Sequence, residues 1–253
     1  MKTPYLIPDG KPVLLPGGKT GCILVHGFTA MPKEMEYLSA DLNQRGYSVL
    51  SVRLAGHGSQ AEDLIHLGWR DWLSSVEDAY NLLKGICDKV ILIGQSLGGI
   101  VVLMAASYLP VNGVVSLSTP CSRSSDRDTR WMKVISLLQP IRIKDRHMRV
   151  HPQDPRLEEN YPAYPFYALH ATIEVRTLQN ILIDRLPLIK APVLIAQSHT
   201  DANIPANSAG RIYTDLGSER KEMAWFEQMD HSMVRDPNRQ QVFEAVAAFL
   251  STL

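Results

Sequence analysis

The chain of 253 residues carries 26 basic and 26 acidic side chains, and 45% of it is hydrophobic. This balance excludes a disordered chain and any long-range attraction to nucleic acid or an anionic membrane, and the length suits one α/β domain. Three scattered cysteines, Cys22, Cys87 and Cys121, exclude a disulfide framework and predict free thiols in a reducing, cytoplasmic setting.

Prolines and Asp9 break the N-terminal stretch before an apolar run reaches signal-peptide length, so no secretion signal is expected. Apolar runs without alternation then recur at 22–25, 47–52, 89–93, 113–117, 193–196 and 223–226, as parallel strands buried on both faces do. Between them lie helical patterns, such as Trp69, Trp72, Leu73, Val76, Tyr80 and Leu83 on one face. Residues 90–109 hold no charge over roughly the length that spans a bilayer, but Gly94, Gln95, Ser96, Gly98 and Gly99 interrupt them. A strand, a tight turn and a buried helix are expected there, with no integral membrane association.

From 119 to 190 the strand rhythm stops. This interval holds Trp131, Met132, Ile135 and Leu138, a basic stretch at 142–149, prolines and tyrosines at 161–167, and a helical pattern around Ile173, Leu178, Ile181 and Leu182. It is expected to form a small, mostly helical cap on a core made of residues 1–118 and 191–253. Asp236 and Pro237 predict the start of a last helix, with Val242, Phe243, Val246, Phe249 and Leu250 on one face. The alternation of strands and helices predicts a doubly wound, mostly parallel sheet, whose reacting groups gather at the carboxyl ends of strands.

One such end carries Gly94-Gln95-Ser96-Leu97-Gly98, between a strand and an apolar helix. A serine on so sharp a turn projects its hydroxyl above the sheet, while the glycines and Gly99 let neighbouring backbone approach. A hydroxyl needs a base and an orienting acid before it attacks a carbonyl. In this architecture they follow in the order acid, then histidine, each in a loop after a later strand. Asp201 follows the strand at 193–196, with His199 and Asp215 as weaker candidates, and His231 alone among eight histidines follows the last strand. His26-Gly27-Phe28-Thr29 follows the first clear strand, so the backbone N–H groups of Phe28 and Leu97 are the candidate oxyanion donors. Gly56-His57-Gly58 is expected only to shape a loop. No pattern for a nucleotide, cofactor or metal is present, and none is expected.

These motifs, with Ile204, Ser208, Ala209, Trp225 and Glu227, resemble those of bacterial carboxylesterases and monoacylglycerol lipases of the α/β-hydrolase superfamily. The resemblance runs nearly end to end and implies the α/β-hydrolase fold, with a helical cap inserted after the sixth strand. It further implies a Ser96-Asp201-His231 triad, an oxyanion hole from Phe28 and Leu97, and a small-molecule ester as substrate. It leaves the acyl length open, and the oligomeric state with it; an apolar cap lining is expected, and Glu174 is a candidate contact for a glycerol hydroxyl. Thioesterases, peptidases and cofactor-free haloperoxidases use a similar triad, and a silent scaffold that only binds a ligand is a further alternative.

Overall fold

Strands that are apolar at every position need cover on both faces, and the sheet of the computed structural model has it. The structure describes residues 6–144 and 161–253; His147, His151 and most of the basic stretch at 142–149 lie outside them. In chain order the strands are β1 (Val13–Leu15), β2 (Thr20–Val25), β3 (Ser48–Val52), β4 (Lys89–Gln95), β5 (Gly113–Leu117), β6 (Ile141–Ile143), β7 (Phe166–Ala168), β8 (Val193–Ser198) and β9 (Lys221–Phe226). The helices are α1 (Glu36–Gln44), α2 (Trp69–Lys84), α3 (Leu97–Ala106), α4 (Asp126–Leu138), α5 (Leu169–Arg185), α6 (Ser208–Asp215) and α7 (Arg239–Leu250). Seven strands form one sheet in the order β1-β3-β2-β4-β5-β8-β9, parallel except for β1.

All six expected strands are present, and the sheet sorts their side chains by alternation. Ile23, Val25 and Leu92 pack with Trp72, Ile100 and Leu178 of α2, α3 and α5. Their neighbours Cys22, Leu24, Ile91 and Ile93 pack with Leu38 and Leu42 of α1 and Val242 and Phe249 of α7. The uncharged interval at 90–109 divides between β4 and α3, and every residue of α3 is buried, which explains a helix apolar all round. Among the described residues no helix is long and apolar enough to cross a membrane.

Three expectations are corrected. First, the insertion follows the fifth strand along the chain, not the sixth, because the N-terminal edge supplies only β1. Within it β6 and β7 pair antiparallel beside the helices α4 and α5. Second, among the described residues the apolar side chains of α4 do not line the cleft: Trp131 and Leu138 are exposed at 65% and 86%. Third, Asp236 does not cap the last helix, which begins three residues later at Arg239. Its carboxylate instead accepts the N–H groups of Asn238 (2.7 Å) and Asp230 (2.9 Å), closing the turn that carries the loop before α7.

Candidate active site

Ser96 sits between β4 and α3 with φ 54° and ψ −112°, a conformation that costs a non-glycine residue about 1–3 kcal/mol. Its N–H donates to Leu117 O (2.8 Å), pinning the turn to the end of β5. The flanking glycines are required by close approach. A Cβ on Gly94 would meet the backbone of Gly98, one on Gly98 the carbonyl of Val25, and one on Gly99 the side chain of Thr119, just beyond β5.

Three residues distant in sequence converge on this turn. His231 Nδ1–H donates to Asp201 Oδ2 (2.8 Å), and Ser96 Oγ–H donates to His231 Nε2 (2.9 Å). The carboxylate that accepts Nδ1–H selects the tautomer whose Nε2 is free to accept. The Asp201 side chain is wholly buried, and its second oxygen accepts the N–H of Asn203 (2.9 Å). The loops that carry the pair are held in turn. Gln95 Nε2 donates to His231 O (2.7 Å), Thr200 Oγ1 donates to Met229 O (3.0 Å), and Met229 N donates to Ser198 Oγ (3.2 Å).

A cleft of about 290 Å³ opens over Ser96 and His231, lined also by Gly27, Phe28, Glu34, Asn203 and, from the insertion, Lys144, Tyr161 and Tyr167. Leu97 opens α3, so its N–H has no carbonyl partner within the helix. The N–H of Phe28 belongs to the loop after β2, which also lines the cleft.

The other candidates lie apart from this relay. His199 stacks on Trp225 at 4.5 Å, and Asp215 lies 3.8 Å from Arg211 on α6. Glu174 does not line the cleft; its carboxylate accepts the N–H of Trp69 (3.3 Å) at the start of α2. Ser208 joins α6 to the root of the insertion, accepting the N–H of Cys121 (3.2 Å). Burial pushes the thiols of Cys22 and Cys121 up to about 12 and about 11, so neither competes as a nucleophile at neutral pH.

His26 and His57 are fully buried and structural. His26 Nδ1–H donates to Gly27 O (2.9 Å) while Nε2 accepts the N–H of Leu54 (3.3 Å), so the neutral ring satisfies both neighbours. Burial lowers its pKa to about 4, and burial, then the His26 ring, lower that of His57 in the same direction. The unfolded chain therefore binds more protons than the native state between about pH 6.5 and 4, so stability falls as the pH falls through that window. For His26 alone the loss is on the order of 3 kcal/mol. Urea unfolding at pH 7 and pH 4.5 checks this, and an unchanged unfolding free energy would contradict it.

Sequence reasoning missed Glu34, which is buried in the 3-10 turn Pro32–Met35 and lines the cleft. A charged residue in a short polar-looking turn gives no periodic signal; only its position eight residues after His26 and beside the buried Met35 hints at burial.

The model of the family described as Serine aminopeptidase, S33, matches residues 18–238. A carboxylesterase of Bacillus subtilis (strain 168) is 27% identical over 96% of this chain and 97% of its own. A thermostable monoacylglycerol lipase of Bacillus sp. (strain H-257) is 26% identical over 99% and 98%. Among solved structures, one described for the metagenome-derived lipolytic enzymes LipS and LipT has a TM-score of 0.87 and 25% identity, covering 98% of this chain and 100% of that one. With the family model spanning most of the sequence and the fold matching end to end, the chain belongs to the Serine aminopeptidase, S33, family of α/β-hydrolases and is a hydrolase.

Proposed function

We propose that this hydrolase is a serine carboxylesterase that cleaves esters of short-to-medium acyl chains, or monoacylglycerols, through an acyl-enzyme intermediate. The observation that carries the reading is the unbroken relay from Asp201 through His231 to Ser96, at 2.8 and 2.9 Å. His231 takes the proton of Ser96 as Oγ attacks the ester carbonyl, and Asp201 steadies the imidazolium that forms. The N–H groups of Phe28 and Leu97 receive the charge that develops on the carbonyl oxygen. The imidazolium then protonates the departing alcohol. Water, deprotonated by the same ring, attacks the acyl carbon and returns Ser96 to its hydroxyl form.

Residues 119–190 act in this reading as a cap over the cleft. Their polar contribution to the lining, Lys144, Tyr161 and Tyr167, suits an alcohol portion with hydroxyl groups, such as glycerol. The names of the Bacillus relatives point to the same ester class. The free, buried state of all three cysteines fits a reducing, cytoplasmic setting.

Labelling with a fluorophosphonate, read by peptide mass spectrometry, tests the assignment: one label on Ser96 is expected, and a label on any other residue refutes it. A panel of acyl esters, monoacylglycerols, thioesters and aminoacyl amides then separates the bond classes. Esters are expected to be turned over fastest, and a preference for the amides would return the chain to the activity that its family description names.

A further inference from the structure

We propose that Glu34 is a positioning residue for the oxyanion loop, and that Tyr161 of the insertion completes its hold on that loop. The inference rests on the esterase reading above and adds a working part to it. Burying a carboxylate is costly unless donors surround it, and Glu34, at 1% exposure, has donors from three separate segments. Gly27 N–H of the loop donates to Oε2 (2.6 Å), Ser232, which follows the general base, donates to Oε1 (3.2 Å), and the hydroxyl of Tyr161 also donates to Oε1. Burial pushes this carboxyl above the usual range, while the Gly27 N–H, Ser232 and the nearby His231 pull it back.

The geometry explains why these bonds matter for the chemistry. The N–H of Phe28 shares a peptide plane with the carbonyl of Gly27 and points the opposite way. That carbonyl is taken by His26 Nδ1–H (2.9 Å) and the N–H of Ala30 (3.2 Å). The preceding peptide is held through its own N–H by Glu34, so both planes at Gly27 are fixed. From the other side, the insertion grips the loop directly. Tyr164 N–H donates to Thr29 O (2.9 Å), and Ala163 pairs with Ala30 as an antiparallel bridge. The cap segment that carries Tyr161 thus buttresses the wall that presents the Phe28 donor, besides lining the cleft. Donors fixed before reaction act on the transition state more than on the bound ester, so loosening them lowers kcat more than it raises KM.

Glu34→Gln keeps the volume and one acceptor but turns an amide toward the donors Tyr161 and Ser232. Its kcat on p-nitrophenyl esters is expected to fall about 10- to 100-fold, with KM within about threefold of wild type. Tyr161→Phe is expected to lower kcat by about 3- to 10-fold, and the double variant to be no slower than Glu34→Gln alone, because both act through one network. A wild-type kcat in Glu34→Gln, a loss confined to KM, or fully additive losses would overturn the proposal. Should Glu34→Gln not fold, Tyr161→Phe alone decides, and a kcat equal to wild type in it has the same meaning. No fluorophosphonate label on wild-type Ser96 removes the esterase reading itself, whereas stoichiometric labelling with an undiminished Glu34→Gln removes only the role of Glu34.

Discussion

Ser96→Ala is expected to lower kcat for p-nitrophenyl esters by about 10⁵- to 10⁶-fold, leaving a trace of turnover above the uncatalysed rate. The size follows from the dependence of the whole covalent route on one oxygen. On the proposed route no acyl-enzyme forms without Oγ, and His231 is left to act only on water in a cleft shaped for another attack. The substitution should not unfold the chain. The hydroxyl makes one side-chain hydrogen bond, to His231 Nε2, and the turn is held by backbone contacts that alanine keeps. A thermal midpoint equal to wild type, or a few degrees higher, is expected, because the turn serves the reaction at the expense of stability. Turnover within tenfold of wild type by a folded variant would end the case for Ser96 as the nucleophile.

The parts of this molecule that were legible in the sequence are those that physical constraints write into residue type. Parallel strands covered on both faces must be apolar throughout, so β2, β4, β5 and β8 were visible as runs. A serine turn wedged between β4, β2 and Thr119 admits only glycine beside it, so the Gly-x-Ser-x-Gly motif was visible too. The order of loops along a doubly wound sheet pointed to Asp201 and His231, whose side chains hydrogen-bond in series with Ser96. The edge strand β1 was not legible, because three residues with Val13 and Leu14 half-exposed carry no pattern. Nor were β6 and β7, each three residues long and made by pairing across the insertion. The direction in which α4 turns its apolar side chains is set by tertiary contacts, so the expectation of an apolar lining from composition did not foresee that Trp131 and Leu138 face outward. Glu34 was hidden for a related reason, since the donors that make its burial tolerable come from residues 7, 127 and 198 positions away.

Asp201→Asn is expected to lower kcat by about 10⁴-fold while leaving the fold and KM nearly unchanged. What decides the effect is which end of an amide can face the imidazole. In the native loop one carboxylate oxygen accepts the N–H of Asn203 and the other accepts Nδ1–H of His231. An asparagine has one carbonyl oxygen for these two donors. The main-chain N–H of Asn203 is fixed by the loop and retains that oxygen, so the amide NH₂ faces His231. Two donors cannot share the contact, and the ring answers by moving its proton to Nε2. Nε2–H then points at Ser96 and can no longer accept its proton, so general-base catalysis is lost although every heavy atom keeps its place. The rate of fluorophosphonate labelling should fall along with kcat, since it needs the same deprotonated serine. An asparagine variant that labels and turns over within tenfold of wild type would show that the ring is oriented by something other than Asp201, and the relay at 2.8 Å would then be a structural contact alone.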